Sequence, residues 1–220
     1  MDGQEHSDLR AGIRRGLPVA VATFVLGISF GVLAQPVMGS VAPIVMSIVV
    51  FSGAAQFAAL SVLAAGAGPI AAIVAGLLMN ARFLPMGLAA GPALSGPALR
   101  RIARGQAVVD ASWAMASRGD GTFDRGVLIG ATLPQVAAWV SGTVVGVLGG
   151  AALAHPEQFG LDAIFPAFYL ALLFEEARAG RVLAAALAGS AITLALMPFA
   201  PPGLPVIAAA AAALLGLRER

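Results

Sequence analysis

The chain has 220 residues, 59% hydrophobic and only 11% charged, with a mean hydropathy of +0.91 and a formal charge of +2. A soluble domain carries roughly a quarter charged residues, so a chain this poor in charge cannot cover its surface against water. All thirteen basic residues are arginine, most of them placed between apolar runs; this is topogenic charge and not the basic stripe of a nucleic-acid binder.

The first apolar segment covers residues 17–37, after Arg10, Arg14 and Arg15. Val32-Leu33-Ala34 loosely imitates a signal-peptide cleavage site, but the apolar run is longer than a signal core and more spans follow, so it reads as a retained first helix behind a cytoplasmic tail, residues 1–16. Further segments are predicted near 41–66, 69–94, 127–153, 160–176, 181–200 and 203–217. Strand alternation of the barrel type is lacking, which leaves helices as the spanning structure. The expected fold is an all-α polytopic membrane helix bundle of six to seven hydrophobic segments, a single domain over 1–220.

In the second segment, Ser52, Gly53, Ala54 and Ala55 form a small-residue stretch ending in Gln56 and Phe57. Small residues admit another backbone or a ligand, and Gln56 demands hydrogen-bond partners. A tight helix contact with one interhelical hydrogen bond explains the stretch equally well.

The third segment contains "GLLMNARFLPMGL", with Asn80, Arg82 and Pro85 in an otherwise apolar run. Pro85 lacks a backbone donor and clashes with the carbonyl of Ala81, which weakens the helix there. Freed backbone groups survive at membrane depth only in protein or beside a watery cavity. An arginine at mid-span costs roughly 2.5–3.5 kcal/mol even on the lenient insertion scale, so Arg82 needs a partner or a purpose. A guanidinium beside a half-helix N-terminus suits a carboxylate; the bland alternative is that Arg82 caps loose carbonyls or snorkels. Arginine counting favours a broken or re-entrant 69–94: if it returns to the side it entered, all twelve arginines outside it face the cytoplasm. Seven full spans in reversed orientation is the competing topology.

Residues 95–126 form an Arg-rich cytoplasmic connection. Within it, "GQAVVDASWAMASRG" is too short to span and reads as an interfacial helix, with Trp113 suited to the headgroup belt. Asp110 there is a candidate to pair with Arg82, to carry a proton or to bind a substrate ammonium; pairing with Arg104 or Arg101 on a solvated face is the alternative. Pro166 makes 160–176 a second irregular segment, as expected at a transporter repeat interface. Glu175 and Glu176 read as partners of Arg178 and Arg181 at a helix end. Gly27-x-x-x-Gly31 and Gly142-x-x-x-Gly146 permit close helix packing.

Cysteine and lysine are absent and the two histidines, His6 and His155, lie far apart. No thiolate metal site, Schiff base or Walker-type lysine is available, so no metal, cofactor or catalytic residue is expected. An intramembrane enzyme and a non-transporting scaffold subunit remain the alternatives to a transporter.

"FSGAAQFAAL" at 51–60, "LLMNARFLPMGLA" at 77–89 and "VVDASWAMA" at 108–116 together resemble the AzlC family, large subunits of bipartite branched-chain amino acid exporters, over about residues 10–217. Family members often carry His and Glu where this chain has Phe83 and Ala111. The resemblance implies export of branched-chain or methionine-like amino acids across a bacterial-type plasma membrane, by ion or proton coupling, with a small membrane partner resembling AzlD. With the residue reading, it gives a substrate site of Ser52, Gly53, Gln56, Phe57, Met79, Asn80, Arg82 and Phe83, with Asp110 for the ammonium or coupling. The carboxylate would lie near Arg82 and Asn80 and the aliphatic chain among Phe57, Met79 and Phe83.

Overall fold

The computed structural model describes residues 2–150, 170, 180–200, 205 and 208–209. The segments expected near 160–176 and 203–217 fall largely outside the described residues, and Pro166, Glu175, Glu176 and His155 lie wholly outside them. The described elements are α1 (Asp2–Met38), α2 (Ala42–Val49), α3 (Gly53–Ala64), α4 (Pro69–Asn80), α5 (Phe83–Ala90), a 3-10 turn (Gly91–Ala93), α6 (Ala98–Gly105), α7 (Asp110–Ala116), α8 (Arg125–Gly149) and α9 (Gly180–Leu196). The all-α membrane architecture expected from sequence is what these elements form. They divide into two compact units, one of residues 1–53 and 80–154, the other of 54–79 and 155–220.

In the first unit, α1 packs along α8. Helix α1 starts at Asp2, so residues 2–16, expected as a tail, are helical and continuous with the first apolar segment. Its 37 residues reach about 56 Å at ~1.5 Å per residue, well beyond the ~30 Å hydrocarbon core. Helix α8 has 25 residues and opens on Asp124, whose carboxylate accepts the Val127 N–H at 3.0 Å as an N-cap.

The seam between them is lined by glycine. A Cβ on Gly27 would stand 2.7 Å from the Trp139 carbonyl oxygen, and one on Gly146 would strike the Ile28 carbonyl, so the two backbones touch where the glycine pairs were expected to allow it. Along this seam Gly126 meets Asp8, Gly130 meets Leu9, Gly142 meets Phe24 and Gly146 meets Ile28. Residue numbers rise together, so α1 and α8 run parallel. Arg15 also donates from Nη1 to the Met115 carbonyl at 3.4 Å, which puts the basic end of α1 against the 95–126 connection.

Parallel packing constrains the chain between them. Had the segments at 41–66 and 69–94 both crossed completely, α8 would run antiparallel to α1, with the connection at the far end. A parallel α8 is the arrangement that an odd number of full crossings between α1 and α8 requires.

Both segments are interrupted. The 69–94 segment bends by 43° between Pro69–Asn80 and Phe83–Ala93. There Leu84 N–H donates to the Ala81 carbonyl at 3.1 Å, so the acceptor that Pro85 orphans is taken by a tighter turn. The 41–66 segment, expected as one apolar run, splits at Val50–Ser52, where Phe51 adopts φ +39°. That left-handed conformation costs a non-glycine residue roughly 1–3 kcal/mol and persists only where its surroundings hold it.

In the second unit, α3 carries buried Gln56 and Phe57, and Gly76 of α4 lies against Ala55. Helix α9 is apolar, with large side chains such as Leu187 and Leu194 exposed.

Candidate functional site

The two interruptions meet. Ser52, just after the strained Phe51, donates its hydroxyl to Asn80 Oδ1 at 2.6 Å. Asn80 ends α4 and Arg82 stands at the N-cap position of α5, two residues on. Arg82 Nη2 donates to Asp110 Oδ2 at 2.8 Å, and its Cζ lies 5.1 Å from the centroid of the Phe83 ring. Phe83 thus gives the guanidinium a π face and no proton. The Arg82 Nε is buried without an acceptor among the described residues, so the planar fork has a donor to spare. The side chains of Arg82 and Asp110 are 35% and 50% exposed, so a ligand can reach both.

The short helix α7 is fixed on three sides, and "DASW" says how. Asp110, its first residue, takes Arg82. Ser112 is buried and its Oγ accepts from Thr132 Oγ1 at 2.7 Å and from Gln135 Nε2 at 3.0 Å, both on α8. Trp113 Nε1 donates to the Met86 carbonyl of α5 at 3.2 Å. Arg82 and Met86 are one turn apart on α5, as Asp110 and Trp113 are on α7, so the two helices lie side by side with two ties. Trp113, expected in a headgroup belt, is instead partly buried against a core of Ala90, Leu94, Val108, Ala116, Val127 and Leu128.

Beside this arrangement lies an open cleft of about 610 Å³, within the range of about 300–1,000 Å³ usual for small-molecule sites. Asn80 and Phe83 line it, as do Phe51, Val109, Arg101 and Gln106. The residues flanking the ion pair in sequence thus form its wall.

Of the residues expected in a site, the structure joins Ser52 to Asn80 and Arg82 to Phe83 and Asp110. Gly53 packs against Trp139, whose ring carbon would lie 3.0 Å from an added Cβ. Gln56 and Phe57 are fully buried on α3 and Met79 is half-buried near the end of α4, all three in the second unit. Sequence alone assigns no role to Phe51, Ser112, Thr132 or Gln135, and offers Arg101 only as a surface partner of Asp110. The signal for two of these was present: Thr132 and Gln135 flank Pro134 as polar groups inside an apolar run. Among the described residues, no cluster of three or more His, Asp or Glu side chains is placed to hold a metal ion.

The AzlC protein profile matches residues 18–153, the stretch that holds both interruptions, the ion pair and the cleft. The chain belongs to the AzlC family. It is 25% identical to the branched-chain amino acid transport protein AzlC of Bacillus subtilis, over 78% of this chain and 70% of that protein. It is 28% identical to an uncharacterized membrane protein of Archaeoglobus fulgidus, covering 92% of this chain and 91% of the relative. An uncharacterized membrane protein of Helicobacter pylori is 23% identical over 73% of this chain and 72% of its own length. No solved structure matches. The membrane assignment made from composition therefore agrees with two α-helices long and apolar enough to cross a bilayer among the described residues, and with these relatives.

Proposed function

We propose that this AzlC-family chain is the transport subunit of an exporter for branched-chain and methionine-like amino acids in the plasma membrane, driven by an ion or proton gradient and working with a small AzlD-like membrane subunit. The observation that carries the reading is the accessible Arg82–Asp110 pair at the break in 69–94, beside an open cleft of mixed polar and apolar surface. A zwitterionic amino acid presents the same two charges as the pair. Its carboxylate takes the Arg82 fork, while its ammonium takes Asp110. Both protein charges keep a partner throughout the exchange, so neither is left uncompensated. The aliphatic side chain lies along Phe83, Phe51 and Val109. Asn80, held by Ser52, is the neutral polar wall.

Transport, rather than scaffolding or catalysis, explains why a chain retains a strained Phe51, a broken segment and an open charge pair in one place. Flux of labelled leucine through liposomes, with and without the small subunit, tests this directly. Arg82→Lys keeps the charge and loses the fork, so flux should fall by about tenfold or more, the effect of one to two charge-assisted hydrogen bonds. Normal flux in that variant would remove Arg82 from the site.

In this reading the N-terminus and the 95–126 connection are cytoplasmic and 69–94 is the segment that re-enters. The parallel α1 and α8, the Arg15–Met115 contact and the 43° bend support it. The chain has no cysteine, so single cysteines report cleanly. His6→Cys and Pro97→Cys should react only with reagent on the cytoplasmic face, and Ser40→Cys only from outside. Labelling of positions 6 and 97 from opposite faces would refute the topology.

A further inference from the structure

Among the described residues the cleft beside the Arg82–Asp110 pair is lined by one cation, to which the reading above gives no role. Arg101, on α6, lines it. The arginines around it are engaged: Arg104 donates to the Ser95 carbonyl, Arg125 to Ser95 Oγ, Arg118 to Asp124 and Arg82 to Asp110. Arg100, the next residue along α6, does not line the cleft. The Arg101 side chain makes no ion pair or hydrogen bond among the described residues, and no carboxylate lines the cleft with it. Its polar neighbours there are Gln106 and Asn80; the remainder of the wall is apolar or glycine.

Arg101 is exposed, and its unpaired guanidinium in the concave wall adds positive potential to the cleft. The cleft, at about 610 Å³, is larger than one aliphatic amino acid fills, so a carboxylate has room to stand at more than one point along it. We infer that Arg101 is a second carboxylate-binding station, on the α6 side of the cleft, which receives the substrate carboxylate as the amino acid passes to or from Arg82. The inference rests on the transport reading above. The two stations differ in chemistry. Arg82 with Asp110 matches both charges of a zwitterion. Arg101 has no acid beside it, so it takes any carboxylate through its fork and leaves an ammonium in water.

That difference is measurable on the full chain. Isocaproate, which is leucine without its amino group, should bind the purified protein by saturation-transfer NMR and compete with leucine flux; isoamylamine, which lacks the carboxylate, should do neither. In phosphatidylcholine liposomes Arg101→Gln should raise the leucine KM several-fold with Vmax retained and lose isocaproate binding. Arg101→Lys should recover part of both. An unchanged KM with unchanged isocaproate binding in Arg101→Gln overturns the inference. So does an effect that appears only in phosphatidylglycerol liposomes, since Arg101 would then be a headgroup contact. Normal leucine flux in Arg82→Lys sinks the transport site and leaves the isocaproate result standing, so the two failures are separable.

Discussion

The seam between α1 and α8 and the seam between α5 and α7 are built by opposite means. The first brings two long helices into backbone contact through glycines, with the Phe30 and Trp139 rings stacked at 5.9 Å, while Ser47 of α2 meets Thr143 of α8 at 2.9 Å beside it. The second holds two short helices apart with side chains: an accessible ion pair and an indole N–H. Dispersion over a long close contact is cumulative and indifferent to ligands. A short, open, charged contact contributes little to folding, yet it can be exchanged for a solute carrying the same charges. The comparison separates the part that holds the bundle from the part we propose binds substrate.

Substitutions should respect that division. Gly146→Leu has the largest expected effect. Its side chain meets the Ile28 carbonyl, which belongs to a helix backbone and cannot yield, so destabilisation of about 3 kcal/mol, the upper end for an overpacked contact, is expected. The measurement is the yield of monodisperse protein after detergent extraction; wild-type yield would mean that the α1–α8 seam is not the scaffold.

Arg82→Lys, which should cost most of the flux, belongs to the other class. An exposed pair contributes only about 0.2–1 kcal/mol to stability, so its melting profile in detergent should stay close to that of the native chain. Loss of folding and flux together would erase the distinction between the seams.

The smallest effect is at the foot of α8. Asp124→Ala removes an N-cap and should cost about 1 kcal/mol of thermal stability. Burial pushes the Asp124 carboxyl up, but the Val127 N–H and the Arg118 guanidinium pull it further down, so it lies below the ordinary carboxylate range. A depressed folded value means that the cap stabilises fully above the unfolded value of about 3.9 and is lost as pH falls through the folded one. Melting of native and Asp124→Ala proteins should therefore converge only in acid below about pH 4. Convergence near neutrality would rule out the cap.

How much of this was readable beforehand differs residue by residue. The apolar lengths, the lone Arg82 and the helix-breaking Pro85 announce a membrane bundle with a defect in 69–94, because chain length and the cost of charge in hydrocarbon are local properties. Gly27, Gly31, Gly142 and Gly146 announce close packing, but not that they face one another. Asp110 had four candidate partners, and spacing could not choose among them. Phe51 carries no mark at all; a left-handed phenylalanine is imposed by what surrounds it. Trp113 announces an amphipathic anchor, but not that its indole N–H would meet the Met86 carbonyl on a neighbouring helix.

Sequence by itself thus determined the solvent, the helical class and the place where a span would fail, since hydrophobic length, the missing proline N–H and arginine desolvation act within a few residues. Only the tertiary structure decided that α1 and α8 run parallel, that Ser52 reaches Asn80 and that Arg82 selects Asp110. Those contacts join residues 28 or more positions apart, and which of several allowed partners meets a given group depends on how all the helices pack at once.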